Sequence, residues 1–407
     1  MITRRYFALA LAALTSLGFA APLAAGAAAP RPAVAVIDFT GFDATNPAFA
    51  ANVVDEVCLD ALAGQPGGQA YCPNHAAIDE GPGAAAPQTT TGGNYAFPGS
   101  WHGTAVASVV SGTLGVSPNT PLVLIRNLYS TDSALQWVAA HAAQYDIVAA
   151  VMSAGVFTTD PSVRGYVPCA QQTDTVGSRQ ISLIPDITAL AQAGVAFVAA
   201  AGNDSSTQYI EYPACLPGVV SVGAVVGGAV AAFSDVSTGL SLLAPGDVPV
   251  AYEPTLGSSS ATVQYGTSFA APAVAGAIAE LRAADPSLSV DQEVALLRAT
   301  GQPLNDSVVH AIPALNLPAA LAYLSSGQAI VSLASTFTTQ SASAPAPTST
   351  PAPSGTATKP PTTTPNPSTP NPAAPSTASL IHEITVLEHQ LAALRHEVAV
   401  LRHRHRP

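Results

Sequence analysis

Residues 265–276 read Tyr-Gly-Thr-Ser-Phe-Ala-Ala-Pro-Ala-Val-Ala-Gly, which predicts a tight turn that leads into a buried helix. Gly266 permits the turn, and the small apolar residues after it suit close packing. Pro272 predicts the first helical turn, where a missing N–H group does no harm. Ser268 then lies at a helix N-terminus, where free N–H groups and the helix dipole favour negative charge. For this serine alone, the N-cap of an ordinary core helix is an equal alternative.

Three earlier segments supply the groups that a serine nucleophile needs. Such a serine requires a general base within hydrogen-bond reach, and the base requires an orienting carboxylate. Asp38 ends a short apolar run that is typical of a buried parallel strand. His102 opens a helix of small residues, and Asn203 follows a second apolar strand. The side-chain amide of Asn203 is suited to donate a hydrogen bond to an oxyanion.

Together and in this order, the four segments resemble the subtilisin-like serine peptidases, or subtilases. The motifs Ala-Val-Ile-Asp, His-Gly-Thr, Ala-Ala-Gly-Asn and Gly-Thr-Ser-Phe-Ala-Ala-Pro carry the resemblance, and the order Asp, His, Ser is that of the subtilisin triad. The resemblance implies Ser268 as nucleophile, His102 as general base and acid, Asp38 as orienter and Asn203 as oxyanion donor. It argues against the related sedolisins, which have glutamate in place of the histidine.

The pattern of strands and helices from residue 33 onward predicts an α/β fold, and the resemblance implies that it is of the subtilisin-like type. It is a doubly wound, mostly parallel sheet with helices on both faces. In such sheets the active site lies beyond the carboxyl ends of the strands, where Asp38 and Asn203 fall. Residues 60–99 are rich in Gly, Pro, Thr and Gln and predict a surface insertion. Strands are predicted at 122–128 and 147–152, and helices at 133–144, 289–299 and 316–324. Residues 277–284 are predicted to complete the helix that bears Ser268.

Two further segments resemble the substrate-binding parts of the family. Ser153, Ala154 and Gly155 correspond to a segment whose backbone pairs with an extended substrate; an ordinary strand end is the alternative. Glu211 precedes a Tyr-Pro pair, at the base of the primary specificity pocket in the family, and Asp204 falls at the pocket rim. Two carboxylates there predict a preference for Arg or Lys before the scissile bond. A solvated loop carboxylate is the alternative for Glu211.

Charge and composition restrict the classes of partner. Of the 407 residues, 48% are hydrophobic and 9% are charged, so we expect a large core. Residues 33–327 contain 22 acidic residues and 5 arginines, an excess of 17 negative charges. Such a body is unsuited to nucleic acid, and the resemblance implies protein or peptide substrates.

Disulfides are expected and metal sites are not. An even number of cysteines in an exported protein suggests two disulfides, for which three pairings are possible. We favour Cys58–Cys72 and Cys169–Cys215, and free buried thiols are the alternative. No cysteine and histidine spacing resembles a zinc site. Subtilases often bind calcium in the corresponding region. Residues 46–49 have alanine where a ligand carboxylate is common, so the sequence does not support a calcium site and we predict no cofactor.

The N-terminus predicts export. Residues 1–30 have a basic start, an apolar run and small residues, as a signal peptide does. The two arginines at 4 and 5 suit a twin-arginine signal, and a Sec signal is an equal alternative. The predicted location is outside the cytoplasm: extracellular, periplasmic or envelope-associated. Subtilases usually have a prodomain before the catalytic domain, and here we expect none, since the first strand starts almost at the predicted cleavage site.

The chain after the peptidase domain, predicted at 31–327, divides into a linker and a helix. Residues 328–378 are a Pro/Thr/Ser-rich linker that cannot form a core. Residues 379–407 predict an amphipathic coiled-coil helix, and their pattern favours a parallel homodimer. An envelope or coiled-coil partner, or packing on the chain's own domain, are the alternatives. The heptad positions are Leu380, Ile384, Leu387, Leu391, Leu394, Val398 and Leu401.

The sequence therefore predicts a secreted serine endopeptidase. Two other classes of function stay open. One is a catalytically weak relative that serves as a peptide-binding or envelope scaffold, suggested by the expected lack of a prodomain and by an extra residue, Phe39, after Asp38. The other is an adhesion protein whose function lies in the tail.

Overall fold

The computed structural model describes residues 31–63, 71–88, 101–128, 130–155, 169–176, 179–253, 257, 260–306, 309–328 and 330. The predicted signal peptide, the C-terminal helix at 379–407 and the linker, apart from residues 328 and 330, lie outside these residues. Within the described part, no helix has the length and apolarity that crossing a membrane requires.

The described chain forms fifteen strands and six α-helices, with two short 3-10 helices at Ala50–Asn52 and Cys169–Gln171. The strands are β1 (Ala33–Asp38), β2 (Val53–Asp60), β3 (Ile78–Glu80), β4 (Leu122–Leu128), β5 (Ile147–Met152), β6 (Asp174–Val176), β7 (Arg179–Ile181), β8 (Ala196–Ala200), β9 (Val219–Val226), β10 (Ala229–Val230), β11 (Leu242–Pro245), β12 (Asp247–Tyr252), β13 (Ser260–Tyr265), β14 (Gln302–Leu304) and β15 (Ile312–Ala314). The helices are α1 (His102–Val110), α2 (Thr131–Tyr145), α3 (Ile184–Gln192), α4 (Thr267–Ala284), α5 (Val290–Thr300) and α6 (Leu317–Ser325).

An 11-stranded sheet lies at the centre of the domain. Its parallel part has the order β15, β11, β9, β8, β5, β1, β4, β2. Antiparallel strands complete it: β14 and β3 lie at its two edges, and β10 pairs with β9. The chain starts in the middle of the sheet and builds outward in both directions, so the predicted doubly wound, mostly parallel sheet is confirmed.

Each face of the sheet is covered by helices because its strands are apolar on both sides. Along β1, Val34 and Val36 belong to one hydrophobic core, and Ala35 and Ile37 belong to the other. This alternation follows from the two-residue period of a strand. Residues of α1, α4, α5 and α6 pack in the first core, and residues of α2 and α3 pack in the second.

Helix ends follow the capping chemistry of the sequence. Ser289 caps α5 in a capping box with Gln292, and the Asn316 side chain accepts a hydrogen bond from the N–H of Ala319 at the start of α6. Both helices were predicted one residue early, because the cap itself is not helical. The helix predicted at 133–144 begins earlier, at Thr131.

The region predicted as a surface insertion, residues 60–99, contributes a strand. Residues 78–80 form β3, which pairs antiparallel with β2 at the sheet edge. Three residues with the sequence Ile-Asp-Glu carry too little pattern to predict a strand. The structure contains two disulfides, Cys58–Cys72 beside this hairpin and Cys169–Cys215, which is the pairing that the sequence favoured.

Candidate active site

The predicted site residues meet at one edge of the sheet. Asp38 ends β1, Ser153 follows β5, and Asn203 lies three residues beyond the end of β8. His102 is the first residue of α1, and Ser268 is the second residue of α4. The carboxyl ends of parallel strands and the N-termini of the helices share this edge, which is where α/β sheets place their sites.

A hydrogen-bond chain fixes Asp38 against His102. The Oδ2 atom of Asp38 lies 2.7 Å from Nδ1 of His102. The Asp38 side chain is fully buried, whereas the imidazole is 22% exposed and open to a ligand. The other carboxylate oxygen, Oδ1, accepts bonds from the N–H and the hydroxyl of Thr40, at 2.8 and 2.7 Å. One oxygen is therefore held by Thr40, which leaves the other directed at the imidazole.

Glycine makes the close approach of α1 to this loop possible. A methyl group added at Gly103 would lie 2.4 Å from the carbonyl oxygen of Gly41, and Gly41 itself has a φ of +85°. The N–H of Gly103 donates to the Thr40 hydroxyl at 2.9 Å. The extra residue after Asp38, Phe39, is accommodated in this turn with its side chain 47% exposed.

Ser268 is half-buried in the otherwise buried first turn of α4. Its hydroxyl donates to the carbonyl oxygen of Ser153 at 3.3 Å. Among the described residues, that hydroxyl makes no hydrogen bond to His102. Hydrogen bonds between a nucleophile and its base are often formed only when substrate is present. The next residue, Phe269, packs its ring against the imidazole, with the ring centroids 5.9 Å apart.

Pro272 lies inside α4 and not in its first turn, so the prediction for this residue was wrong. A proline has no N–H to donate to the carbonyl four residues earlier, which here belongs to Ser268. The hydroxyl of Ser153 donates to that carbonyl at 2.7 Å and replaces the missing donor. The helix tolerates the proline because Ser153, which follows β5, donates the missing hydrogen bond to the Ser268 carbonyl.

Replacing Ser153 by alanine is expected to lower the free energy of unfolding by about 1–3 kcal/mol, because the Ser268 carbonyl loses its donor. In a Pro272→Ala background, the helix regains an N–H for that carbonyl, so the Ser153→Ala loss should shrink. Denaturant unfolding of the wild type, both single variants and the double variant measures the coupling. Strictly additive losses would show that the two residues do not share the Ser268 carbonyl.

The Asn203 side chain is oriented by the residue before Ser268. Its Oδ1 atom accepts bonds from the N–H and the hydroxyl of Thr267, at 2.9 and 3.1 Å. A backbone N–H can only donate, so this contact assigns the oxygen and leaves the NH₂ group on the other side of the amide. The N–H of Ser268 is in the first turn of α4, where backbone donors have no intrahelical acceptor. Both groups suit an oxyanion.

A cluster of carboxylates adjoins these residues. Asp204 follows Asn203, and one carboxylate oxygen each of Asp204, Glu211 and Asp235 lie within 4.8 Å of one another. Glu211 is directed toward the Ser153–Gly155 segment: a methyl group added at Gly155 would lie 2.2 Å from its Oε2 atom. Burial first, and then the charges of Asp204 and Asp235, raise the pKa of Glu211 from 4.5 to about 8.

Within the described part of the chain, the carboxylate oxygens of this cluster form a set of donors that suits a hard cation, because such ions prefer carboxylate oxygens as ligands. The sequence predicted no metal ligands here. It placed Asp204 and Glu211 at a pocket but did not include Asp235, which joins them through tertiary packing.

Several orienting residues were also missed. Thr40 binds Asp38 in the two-residue spacing of an Asx turn, a local signal that was readable in the sequence. Thr267 and the hydroxyl of Ser153 had no such signal, because their partners lie 64 and 115 residues away.

Comparisons with known proteins agree with the resemblance that the four sequence motifs carry. A model of the subtilase family matches residues 30–312. Subtilisin DY of Bacillus licheniformis is 33% identical over 247 residues, which cover 56% of this chain and 81% of that protein. The extracellular protease of Xanthomonas campestris is 29% identical over 207 residues, 46% of this chain and 33% of that protein. A protease structure from Pseudoalteromonas arctica has a TM-score of 0.56 at 22% identity, covering 72% of this chain and 89% of that one, and supports the fold.

Proposed function

The chain belongs to the subtilase family of serine peptidases, and we propose that it is an endopeptidase that hydrolyses peptide bonds through an acyl-enzyme on Ser268. The observation that carries this proposal is the Asp38–His102 hydrogen bond, whose imidazole packs against Phe269 in the first turn of the helix that bears Ser268. Carboxylate, imidazole and hydroxyl are the three groups of a serine-peptidase triad.

In the first half of the reaction, the Ser268 hydroxyl leaves the Ser153 carbonyl and turns toward His102. The Nε2 atom of His102 takes the proton while the serine oxygen attacks the substrate carbonyl carbon. Asp38 keeps Nδ1 protonated and stabilises the imidazolium that forms. The amide NH₂ of Asn203 and the N–H of Ser268 bind the oxyanion.

In the second half, the imidazolium gives its proton to the leaving amine, and the carbon–nitrogen bond breaks. Water then enters, loses a proton to His102 and attacks the acyl carbon. The serine oxygen is released with that proton, so the enzyme returns to its starting state. The Thr40 and Thr267 contacts support this cycle, because they hold Asp38 and Asn203 in place before substrate arrives.

A fluorophosphonate probe, which phosphonylates an activated serine, tests the proposal. We expect stoichiometric labelling of the purified protein and none of the Ser268→Ala or His102→Ala variants. Ser325→Ala, which removes an exposed hydroxyl at the end of α6, is the matched control and should label fully. A folded wild-type protein that is not labelled would contradict the peptidase proposal and favour the alternative, a catalytically weak peptide-binding scaffold. The observation that supports this alternative is that the Ser268 hydroxyl donates to the Ser153 carbonyl and not to His102.

For specificity, we propose a preference for Arg or Lys on the acyl side of the scissile bond. The Glu211 carboxylate adjoins Gly155, two residues from the Ser153 carbonyl that accepts the Ser268 hydroxyl. Asp204 adds a second carboxylate next to Asn203. A guanidinium or ammonium group between them gains charge-assisted hydrogen bonds.

We also propose that the protein is secreted. Support comes from residues 1–30, which have the composition of a signal peptide, and from two disulfides, which persist in oxidising compartments. The relative from Xanthomonas campestris is named an extracellular protease. Dimer formation through the heptads of residues 379–407 stays a proposal from the sequence.

A further inference from the structure

A row of aromatic rings extends from the imidazole of His102. Between ring centroids, His102 lies 5.9 Å from Phe269 and 6.4 Å from Trp101, the residue that precedes α1. Trp101 in turn meets Tyr252 edge to face, with the centroids 4.8 Å apart. Both Trp101 and Tyr252 are half-buried, so part of each residue stays accessible to a ligand. We call these two residues the aromatic ledge.

The backbone on both sides of Tyr252 is fixed by hydrogen bonds. Tyr252 is the last residue of β12 and lies between two buried residues, Ala251 and Glu253. The N–H of Ala251 donates to the Ser108 hydroxyl of α1 at 2.9 Å. The carboxylate of Glu253 accepts a hydrogen bond from the side-chain amide of Asn46. The ring of Tyr252 is therefore held in place before a ligand arrives, which lowers the entropic cost of binding.

The ledge adjoins the group that protonates the leaving amine. In the proposed mechanism His102 gives its proton to that amine, so the residue after the scissile bond passes close to the imidazole. The groups assigned to the acyl side come from other elements, since Ser153 follows β5 and both Asn203 and Glu211 follow β8. The ledge is built instead from the start of α1 and the end of β12. It is thus an apolar surface beside the leaving side of the substrate.

We propose that Trp101 and Tyr252 bind the residue that follows the scissile bond and select a large aromatic or apolar side chain there. This preference rests on the proposed peptidase function but not on the proposed preference for Arg or Lys, which concerns the acyl side. A large apolar side chain that covers the ledge removes the accessible part of two rings from water. An aromatic side chain adds edge-to-face contacts to this burial.

Acyl transfer isolates the leaving side from the acyl side. An added amine that attacks the acyl-enzyme occupies the position that the leaving amine has vacated. Its nitrogen bonds to the acyl carbon and loses a proton to His102, which passes the proton to the Ser268 oxygen as the ester bond breaks. Water attacks the same acyl-enzyme, so the ratio of amide to acid product measures how well the amine binds, whatever the rate of acylation.

The experiment adds phenylalaninamide or alaninamide, at equal concentration, to the protein and a peptide methyl ester. It is run at about pH 9, where an α-amino group is neutral. We expect the ratio of amide to acid product to be about tenfold higher with phenylalaninamide. Trp101→Leu and Tyr252→Leu should each lower this preference by about threefold or more. Tyr252→Phe keeps the ring and should retain the preference.

The controls separate substrate contact from a structural role. Tyr323→Leu removes a half-buried ring from α6 and should leave the preference unchanged. A ledge that only supported the fold would change ester hydrolysis in the variants without changing the preference between the two amines. If Trp101→Leu does not fold, Tyr252→Leu and Tyr252→Phe still test the inference.

The esters test the acyl side separately. One ester has arginine before the ester bond, and the other has citrulline, the uncharged isostere of arginine. A higher kcat/KM for the arginine ester would support the proposed preference for a cation. Equal values would contradict that preference and would leave the ledge open to the same test, because either ester forms an acyl-enzyme.

The outcomes distinguish the ledge from the function on which it rests. A protein that neither reacts with the fluorophosphonate nor hydrolyses either ester overturns the peptidase and the ledge together. Ester hydrolysis with equal product ratios for the two amines overturns the ledge alone, and so does a preference that persists in both Trp101→Leu and Tyr252→Leu. If these variants change only the kcat/KM of the esters, the ledge contacts the acyl side and the inference is wrong.

Discussion

Alanine at Ser268 or at His102 is expected to lower kcat for peptide hydrolysis by about a millionfold, which is the loss that subtilisin itself shows. The two groups act in one step, since His102 accepts the proton that Ser268 must lose. The residual rate should come from the oxyanion donors, Asn203 and the Ser268 N–H, which do not depend on the triad. The measurement is kcat on a chromogenic peptide.

The double variant distinguishes a triad from two independent contributions. Ser268→Ala combined with His102→Ala should be about as slow as either single variant, because groups that act as a unit are not additive. Ser325→Ala controls for the loss of a hydroxyl at an exposed position. A His102→Ala variant with nearly full activity would contradict the assignment of this residue as the base.

Asp38→Asn is expected to lower kcat by about ten-thousandfold, through the tautomer of His102. The N–H and hydroxyl of Thr40 donate to one oxygen of Asp38. In the variant these donors should keep the amide oxygen on their side, so the NH₂ group faces Nδ1 of His102. Because NH₂ can only donate, Nδ1 must become the acceptor, and Nε2 carries the proton and cannot accept one from Ser268.

Kinetics and spectroscopy together test this mechanism. The nitrogen chemical shifts of His102 should show Nδ1 protonated in the wild type and Nε2 protonated in Asp38→Asn. Asp291→Asn, which neutralises a remote exposed carboxylate, is the matched control and should change neither the shifts nor kcat. Loss of activity with an unchanged tautomer would mean that Asp38 acts through its charge and not through orientation.

The fold and the candidate catalytic residues could be predicted from local sequence. Apolar runs such as the one that ends at Asp38 predicted parallel strands buried on both faces, and the small-residue segment after Ser268 predicted the buried α4. Short motifs placed Asp38, Asn203, His102 and Ser268 at strand ends and helix starts. Such features are readable because burial and helix capping act over a few neighbouring residues.

Contacts across the fold could not be predicted. Pro272 was placed in the first turn of its helix, because the sequence does not show that a hydroxyl 119 residues earlier, on Ser153, replaces the missing donor. The three-residue strand β3 gave no periodic signal, and it forms because β2 offers an open edge.

The sequence by itself determined the subtilase fold and the four candidate catalytic residues, since these depend on residue type and order along the chain. Only the tertiary structure decided how those groups are held and charged. Thr267 orients Asn203, and Asp204 and Asp235 converge on Glu211 between two glycines. The physical reason is that desolvation and the repulsion between carboxylates depend on distances between segments far apart in the chain, which folding alone sets.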